Sequence, residues 1–338
     1  ESLDPVCLCP DSGIESVCLT AYARPIAVSL FRKGSCMPVS TMLLALGLIG
    51  VVGCAGSAPP VRTNSGAHPP QLADVIPPDQ PFQRHMVDLD GLHLSVLEAG
   101  TGDPIIFVHG VVTTSNIFPQ YVGAYSPEFR GIAVDLRGYG DSEKPVTGFS
   151  IPNFSRDLIK LADVLQIQKA VWVGVSMGGM ILQQLALDHP ERVRALVLVS
   201  TTDGPMILDK DISSIGAPRD YREVSKNMIV ESFPAGAQAK TYQPLLDRIS
   251  TWNGTVIREA LTSMSQFSVR GQLTGIRAPT LILVGSKDDV ATPAIAKDIQ
   301  AQISGSQVVA FDTGHFMMAE DPARFRAVLG DFLKRLPQ

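Results

Sequence analysis

From residue 82 onward, short apolar runs recur along the chain: Ile105–Val108, Ile132–Val134, Ala170–Val175, Leu196–Val199, Thr280–Val284 and Val308–Phe311. The runs are continuous rather than alternating, which predicts strands buried on both faces, as in a parallel sheet covered by helices. Between them, Pro152–Leu165, Gly179–Leu187, Pro293–Ile303 and Asp321–Leu336 repeat their apolar positions at helical spacing. Ahead of the first run, FQRHMVDLDGLHLSVLEAG reads as two alternating strands joined at Asp90-Gly91, a pair that tolerates the positive φ of a tight hairpin. Strand-helix alternation of this kind predicts an α/β sandwich with right-handed crossovers and a mostly parallel central sheet.

Two segments break the rhythm. Between Ser200 and Pro279 the chain has amphipathic stretches containing Met and Phe but no strand pattern. Residues 201–278 are therefore expected to form a helical cap inserted after the sixth strand, with residues 82–200 and 279–338 as the core. Met206, Met228, Phe233, Trp252, Met264 and Phe267 are its candidates for lining an apolar pocket. The second segment is the first 81 residues. Met42 to Val52 is apolar over about a dozen residues, the length of a signal-peptide core and too short to span a bilayer. It ends in Val51-Val52-Gly53-Cys54, which resembles the lipobox of bacterial lipoproteins. That resemblance implies a signal peptide over 37–53, lipidation of Cys54, and attachment to the bacterial cell envelope on its periplasmic or extracellular face. Ala55 after the cysteine favours an outer membrane. Residues 54–81, rich in Pro, Gly, Ser and Ala, read as a semi-extended tether. Residues 1–36 carry neither periodicity nor a core, and Met37 is a plausible start.

Composition narrows the chemistry. Of 338 residues 45% are hydrophobic, enough for a large core, and the formal net charge of −5 argues against a nucleic-acid partner. All five cysteines (Cys7, Cys9, Cys18, Cys36 and Cys54) lie in the first 54 residues, so no disulfide framework is expected in the folded part. Their spacing does not suit a zinc site, and no metal is expected.

One serine stands out. Gly174-Val175-Ser176-Met177-Gly178 fits G-x-S-x-G after a buried strand and before a helix, the strand-turn-helix setting of a nucleophile elbow. Small residues on either side let the strained turn close and expose the hydroxyl at the helix N-terminus. A serine needs a base to take its proton. Of the six histidines, His68 lies in the tether, His85 and His93 in the hairpin, and His189 at a helix end. His109 and His315 remain, each just past a strand, where open α/β sheets bind ligands. GSKDD after the strand at 280–284 offers Asp288 as the first candidate for the carboxylate that orients the base, with Asp203 and then Asp289 as alternatives. Arg137 and Asp141 read as loop-ordering residues.

FVHG (107–110), DLRGYGDS (135–142), GVSMGGM (174–180), HPERVRALVLVST (189–201), PTLILVGSKDDVATP (279–293) and TGHFMMAEDP (313–322) occur in order. From about residue 82 to the end, the chain therefore resembles the α/β-hydrolase superfamily. The resemblance selects Asp288 as the acid and His315 as the base. It makes His109 and Gly110 supports of an oxyanion loop, with the backbone N–H groups of Val111 and Met177 as donors. It implies a serine esterase or lactonase acting on a small-molecule ester or lactone without a cofactor. The nucleophile region is similar to those of enol-lactonases, carboxylesterases and cofactor-free haloperoxidases or perhydrolases. Carbon–carbon bond hydrolases of this fold usually have Asn and Trp where Val175 and Phe316 stand. A slow-turnover ligand sensor is the alternative from another class. Oligomeric state has no signature in the chain.

Overall fold

The computed structural model describes residues 82–206, 221–247 and 254–337. The segments 1–36, 37–53 and 54–81, and with them Cys54, lie outside the described residues. Eight strands form one sheet: β1 (Gln83–Asp88), β2 (His93–Ala99), β3 (Asp103–Val108), β4 (Phe129–Val134), β5 (Ala170–Val175), β6 (Val193–Val199), β7 (Thr280–Gly285) and β8 (Gln307–Phe311). Their order across the sheet is β1-β2-β4-β3-β5-β6-β7-β8. Strand β2 runs antiparallel to both β1 and β4, and every other pairing is parallel. The hairpin closes as expected, with Asp90 at φ 58° and Gly91 at φ 95°.

The central strands explain their own sequence. All six residues of β5 and all six of β7 are buried, because helices cover both faces and leave no solvent side to mark with polar residues. Nine helices surround the sheet among the described residues: α1 (Pro119–Val122), α2 (Ile151–Val164), α3 (Met177–Asp188), α4 (Tyr221–Glu231), α5 (Ala239–Leu246), α6 (Gly254–Gln266), α7 (Pro293–Gln302), α8 (Met317–Glu320) and α9 (Pro322–Lys334). Proline in the first turn of α2, α7 and α9 fits a position whose N–H has no intrahelical partner. Phe154, Leu158 and Leu161 make the buried stripe of α2, spaced for one helical face.

Helices α4, α5 and α6 all fall between β6 and β7. They are joined to the sheet domain by polar contacts as well as by packing. Ser150 precedes α2 without a side-chain cap. Glu259 of α6 accepts from the N–H groups of Gly148 and Phe149 at 2.9 and 3.1 Å, and Ser263 accepts from Ile151 N–H at 2.9 Å. The inserted helix thus supplies partners that the start of α2 lacks in its own sequence.

Strand order also locates the site. From β3 the chain crosses to β4 on one side, then returns over β3 to reach β5 on the other. The loops after β3 and β5 therefore diverge and leave a crevice at the carboxyl ends of those strands. The loops carry Gly110 and Ser176.

Candidate active site

Ser176 has φ 54° and ψ −117° at the junction of β5 and α3, a conformation that L-residues seldom adopt. The neighbouring structure holds it there. Ser176 N–H donates to Val199 O at 2.8 Å, and Thr201 Oγ1 donates to Ser176 O at 2.8 Å. The flanking glycines are required by contact: a Cβ on Gly174 would meet Gly178 O at 2.5 Å, and one on Gly178 would overlap the carbonyl of Val108. Strain at the serine is thus sustained by backbone that a side chain would displace. Ser176 is only 5% exposed. Its hydroxyl donates to Met206 Sδ at 3.6 Å, its one hydrogen bond among the described residues.

The loop after β3 packs on the serine: a Cβ on Gly110 would lie 3.2 Å from Ser176 Cβ. Gly110 N–H donates to Thr113 Oγ1 at 3.0 Å and Thr113 N–H returns to Gly110 O at 3.3 Å, which folds the loop into a tight turn. The N–H groups of Val111 and Met177 have no partner among the described residues. His109 is fully committed elsewhere. Leu136 N–H donates to its Nε2 at 3.1 Å, so Nδ1 carries the proton and donates to Gly110 O at 2.8 Å. Burial outweighs the nearby Asp135 charge and lowers its pKa, keeping the ring neutral. Of the two histidines that the sequence left open, His109 braces the loop and offers no free nitrogen to the serine.

His315 sits in the loop between β8 and α8, buried, with Nδ1 bonded to Asp288 Oδ2 at 2.8 Å. Asp288 follows β7, and its Oδ1 accepts from Val290 and Ala291 N–H at 2.9 and 3.0 Å. Burial alone would push the Asp288 carboxyl up. The hydrogen bond and charge of His315, together with the Ala291 and Val290 N–H groups, outweigh it and hold the carboxyl below its usual range. The other acids are placed elsewhere. Asp203 is buried, but its oxygens accept from Arg270 Nε at 3.3 Å and Gln302 Nε2 at 2.7 Å. Asp289 is exposed. Arg137 forms a two-point pair with Asp157 at 2.5 Å, and Asp141 pairs with Arg84 at 3.2 Å, so both order loops.

Sequence reasoning missed two supports of the His315 loop. Glu320 accepts from Gly314 N–H with both carboxylate oxygens at 3.0 and 3.2 Å, and burial raises its pKa. His315 N–H donates to Ser232 O at 2.9 Å, tying the loop to the end of α4. An acidic residue five positions past a predicted base is a weak signal, and a backbone carbonyl gives none.

A cavity of about 470 Å³ brings Val111, Ser176 and His315 together. The inserted segment lines it with Met206, Met228, Leu261 and Met264, and with Asn227, Glu231 and Ser232 at its polar end. Three of the expected apolar lining residues are there. Phe233 instead stacks between Phe316 and Tyr242, with centroids 5.4 and 5.6 Å away, and Phe267 is buried outside the lining. Trp252 lies outside the described residues. No group of three metal-ligating side chains occurs among the described residues.

Residues 103–322 match the alpha/beta hydrolase fold family, well over half of the chain. The AB hydrolase superfamily protein YisY of Bacillus subtilis is 29% identical over 259 residues, which cover 71% of this chain and 94% of that protein. The 3-oxoadipate enol-lactonase 2 of Acinetobacter baylyi is 24% identical over 242 residues, covering 68% and 88%. Among solved structures, Est816, described as an N-acyl homoserine lactone degrading enzyme, superposes with a TM-score of 0.65 at 29% identity, over 73% of this chain and all 100% of its own. An esterase from Exiguobacterium antarcticum shares the fold, with a TM-score of 0.67 at 24% identity over 72% of this chain and 97% of its own. The motifs, the strand order and these likenesses agree, and the chain belongs to the alpha/beta hydrolase fold family.

Proposed function

We propose that this chain is a serine hydrolase that cleaves a carboxylic ester or lactone through an acyl-enzyme. The observation that carries the reading is the meeting in one cavity of Ser176, on its positive-φ turn, and a histidine whose Nδ1 is held by a carboxylate. Ser176 Oγ turns from Met206, attacks the carbonyl carbon and passes its proton to His315 Nε2. The carbonyl electron pair moves to oxygen, where the N–H groups of Val111 and Met177 receive the charge. Collapse expels the alkoxide, which takes the proton from His315; in a lactone it stays attached to the acyl group. Water repeats the sequence, releases the acid and restores the serine. Asp288 fixes the imidazole tautomer and stabilises the imidazolium without taking a proton itself. The lactonase and esterase names among the similar proteins support this class of bond.

The test compares the full chain with Ser176→Ala on p-nitrophenyl esters of graded chain length and on neutral lactones. Steady turnover that disappears in the variant is the expected result. A single stoichiometric burst points instead to a slow sensor, and peroxide-dependent perhydrolysis exceeding hydrolysis points to a perhydrolase. The Cys54 segment supports placing the activity on a bacterial envelope membrane. Cys54→Ser is expected to move the protein from the membrane to the soluble fraction, and retention on the membrane counts against a lipid anchor.

A further inference from the structure

Helix α4 presents two polar side chains to the cavity at one face, Asn227 and Glu231, one turn apart. Both are exposed at its rim, while Met206, Met228, Leu261 and Met264 line the cavity and are buried or half-buried. Glu231 has no ion pair or hydrogen bond among the described residues. It is also the last residue of α4, whose final turn holds no basic side chain. A carboxylate there faces the negative end of the helix dipole, an unfavourable position that helix stability does not explain. Among the described lining residues Glu231 and His315 are the only ionisable groups, and Asp288 beneath His315 is held as the carboxylate. The rim thus carries the one acidic side chain among the described lining residues, around walls that are apolar.

We infer that the site is selective for charge: it takes an ester or lactone with an uncharged, apolar acyl part and a cationic or hydrogen-bond-donating polar end read by Glu231 and Asn227, and it disfavours substrates that carry a free carboxylate. The inference rests on the serine-hydrolase reading above and narrows its substrate class. The acyl chain packs between the methionines and Leu261, and the polar end lies toward the rim, where Glu231 and Asn227 both offer oxygen acceptors. A second carboxylate brought to the same rim meets a like charge, with no Lys or Arg among the described lining residues to offset it. At a solvent-facing rim this repulsion is screened by salt, so the selectivity is largest at low ionic strength.

The test uses the full chain and two matched pairs of probes. S-Propyl thiobutyrate and the S-butyryl derivative of 3-mercaptopropionic acid share an acyl group and have leaving groups of equal length that differ by a terminal carboxylate. Ethyl thiobutyrate and butyrylthiocholine share an acyl group and differ by a quaternary ammonium. The expected result is kcat/KM lower by about tenfold or more for the mercaptopropionate thioester than for the propyl thioester at low salt, and higher for the choline thioester than for the ethyl thioester. Both ratios shrink as salt rises past the point where the screening length falls below about 8 Å. Glu231→Gln lowers both ratios by roughly threefold to tenfold, and Glu231→Lys reverses the first. Glu128→Gln removes one negative charge from a separate groove lined by Tyr125 and Arg326, and it is expected to leave both ratios in place.

Neutral thioesters turned over through Ser176, with the mercaptopropionate thioester equally fast at low salt, overturn the charge selectivity and leave the hydrolase reading standing. Equal shifts in Glu231→Gln and Glu128→Gln also overturn it, because the effect then belongs to net charge and not to the rim. No turnover of any probe, charged or neutral, overturns both readings together.

Discussion

The carboxyl edge of the sheet and the helices inserted between β6 and β7 meet at one cavity, but they hold their side chains in different ways. At the sheet edge each group is fixed by hydrogen bonds to or from backbone atoms. Ser176 is pinned through Val199 and Thr201, Asp288 through Val290 and Ala291, and Gly110 through Thr113. In the insertion, Met206, Met228 and Met264 reach the cavity through unbranched side chains that adapt to what they touch. In the proposed reaction, geometry depends on the first region and substrate fit on the second. Substitutions at the sheet edge should therefore change kcat by orders of magnitude, and those in the insertion should change KM and selectivity by small factors.

The largest break is expected at the strand ends. Ser176→Ala should lower kcat on any accepted ester by about 10⁴-fold or more, with KM little changed, since the hydroxyl acts only once the carbonyl is bound. Asp288→Asn should cost roughly 10³–10⁴-fold, because the amide NH₂ can donate to Nδ1 and leave the ring proton on Nε2, the nitrogen that must accept from Ser176. Asp203→Asn separates the competing acids: it loses the pairing with Arg270 and should lower the melting temperature while keeping kcat within about tenfold. The pH dependence has a definite sign. With the Asp288 carboxyl below the ordinary 3.8, its contribution to stability is complete above that value and is lost only as pH falls through the lower folded pKa. Comparing acid unfolding of the parent with Asp288→Asn checks this, and equal acid midpoints would remove the assignment.

Backbone contacts sharpen the same comparison through two glycines. Gly178→Ala places a Cβ against the carbonyls of Val108 and His109, atoms that cannot yield without moving β3. A loss of about 3 kcal/mol is expected, which for a domain of this size lowers the melting temperature by roughly 6–12 °C. Gly236, in the insertion at φ 86°, has nothing within 4 Å of the corresponding Cβ. Gly236→Ala should cost only the positive-φ strain, about 1 kcal/mol. Thermal melts of the two variants suffice, and equal losses would mean that crowding at the elbow is not what fixes Gly178.

The same contrast explains what the sequence made legible. Strands buried on both faces need continuous apolar runs, so six could be placed that way and β1 and β2 by their alternation about Asp90-Gly91, although β6 starts three residues before its run because Val193 pairs with Ala170 ahead of a register shift. The elbow was legible because tight backbone contact admits only glycine. His109 and His315 were not separable by spacing: both follow strands, and only the bonds to Leu136 N–H and Asp288 distinguish them. The acid was ambiguous for a similar reason, since Asp203 and Asp288 both end strands and differ in what lies beside them. In the insertion, apolar residues at helical spacing serve the core and the cavity alike. Nothing in the sequence separates Met264, which lines the cavity, from Phe233, which stacks on Phe316.

The smallest effect is expected at Met206, where the two regions touch. A thioether is a weak acceptor, yet it holds the Ser176 hydroxyl in the resting site. In the proposed mechanism, attack requires the hydroxyl to leave the sulfur and turn toward His315, so this contact would stabilise the ground state and be absent from the transition state. Leucine keeps nearly the same volume and lacks the acceptor. Met206→Leu is therefore expected to raise kcat by about twofold and to leave KM for short acyl esters close to the parent value, the signature of a ground-state contact removed. Steady-state kinetics on one neutral ester measure both parameters. A fall in kcat would show that the sulfur contributes in the transition state and that the insertion reaches further into the chemistry than its flexible side chains imply.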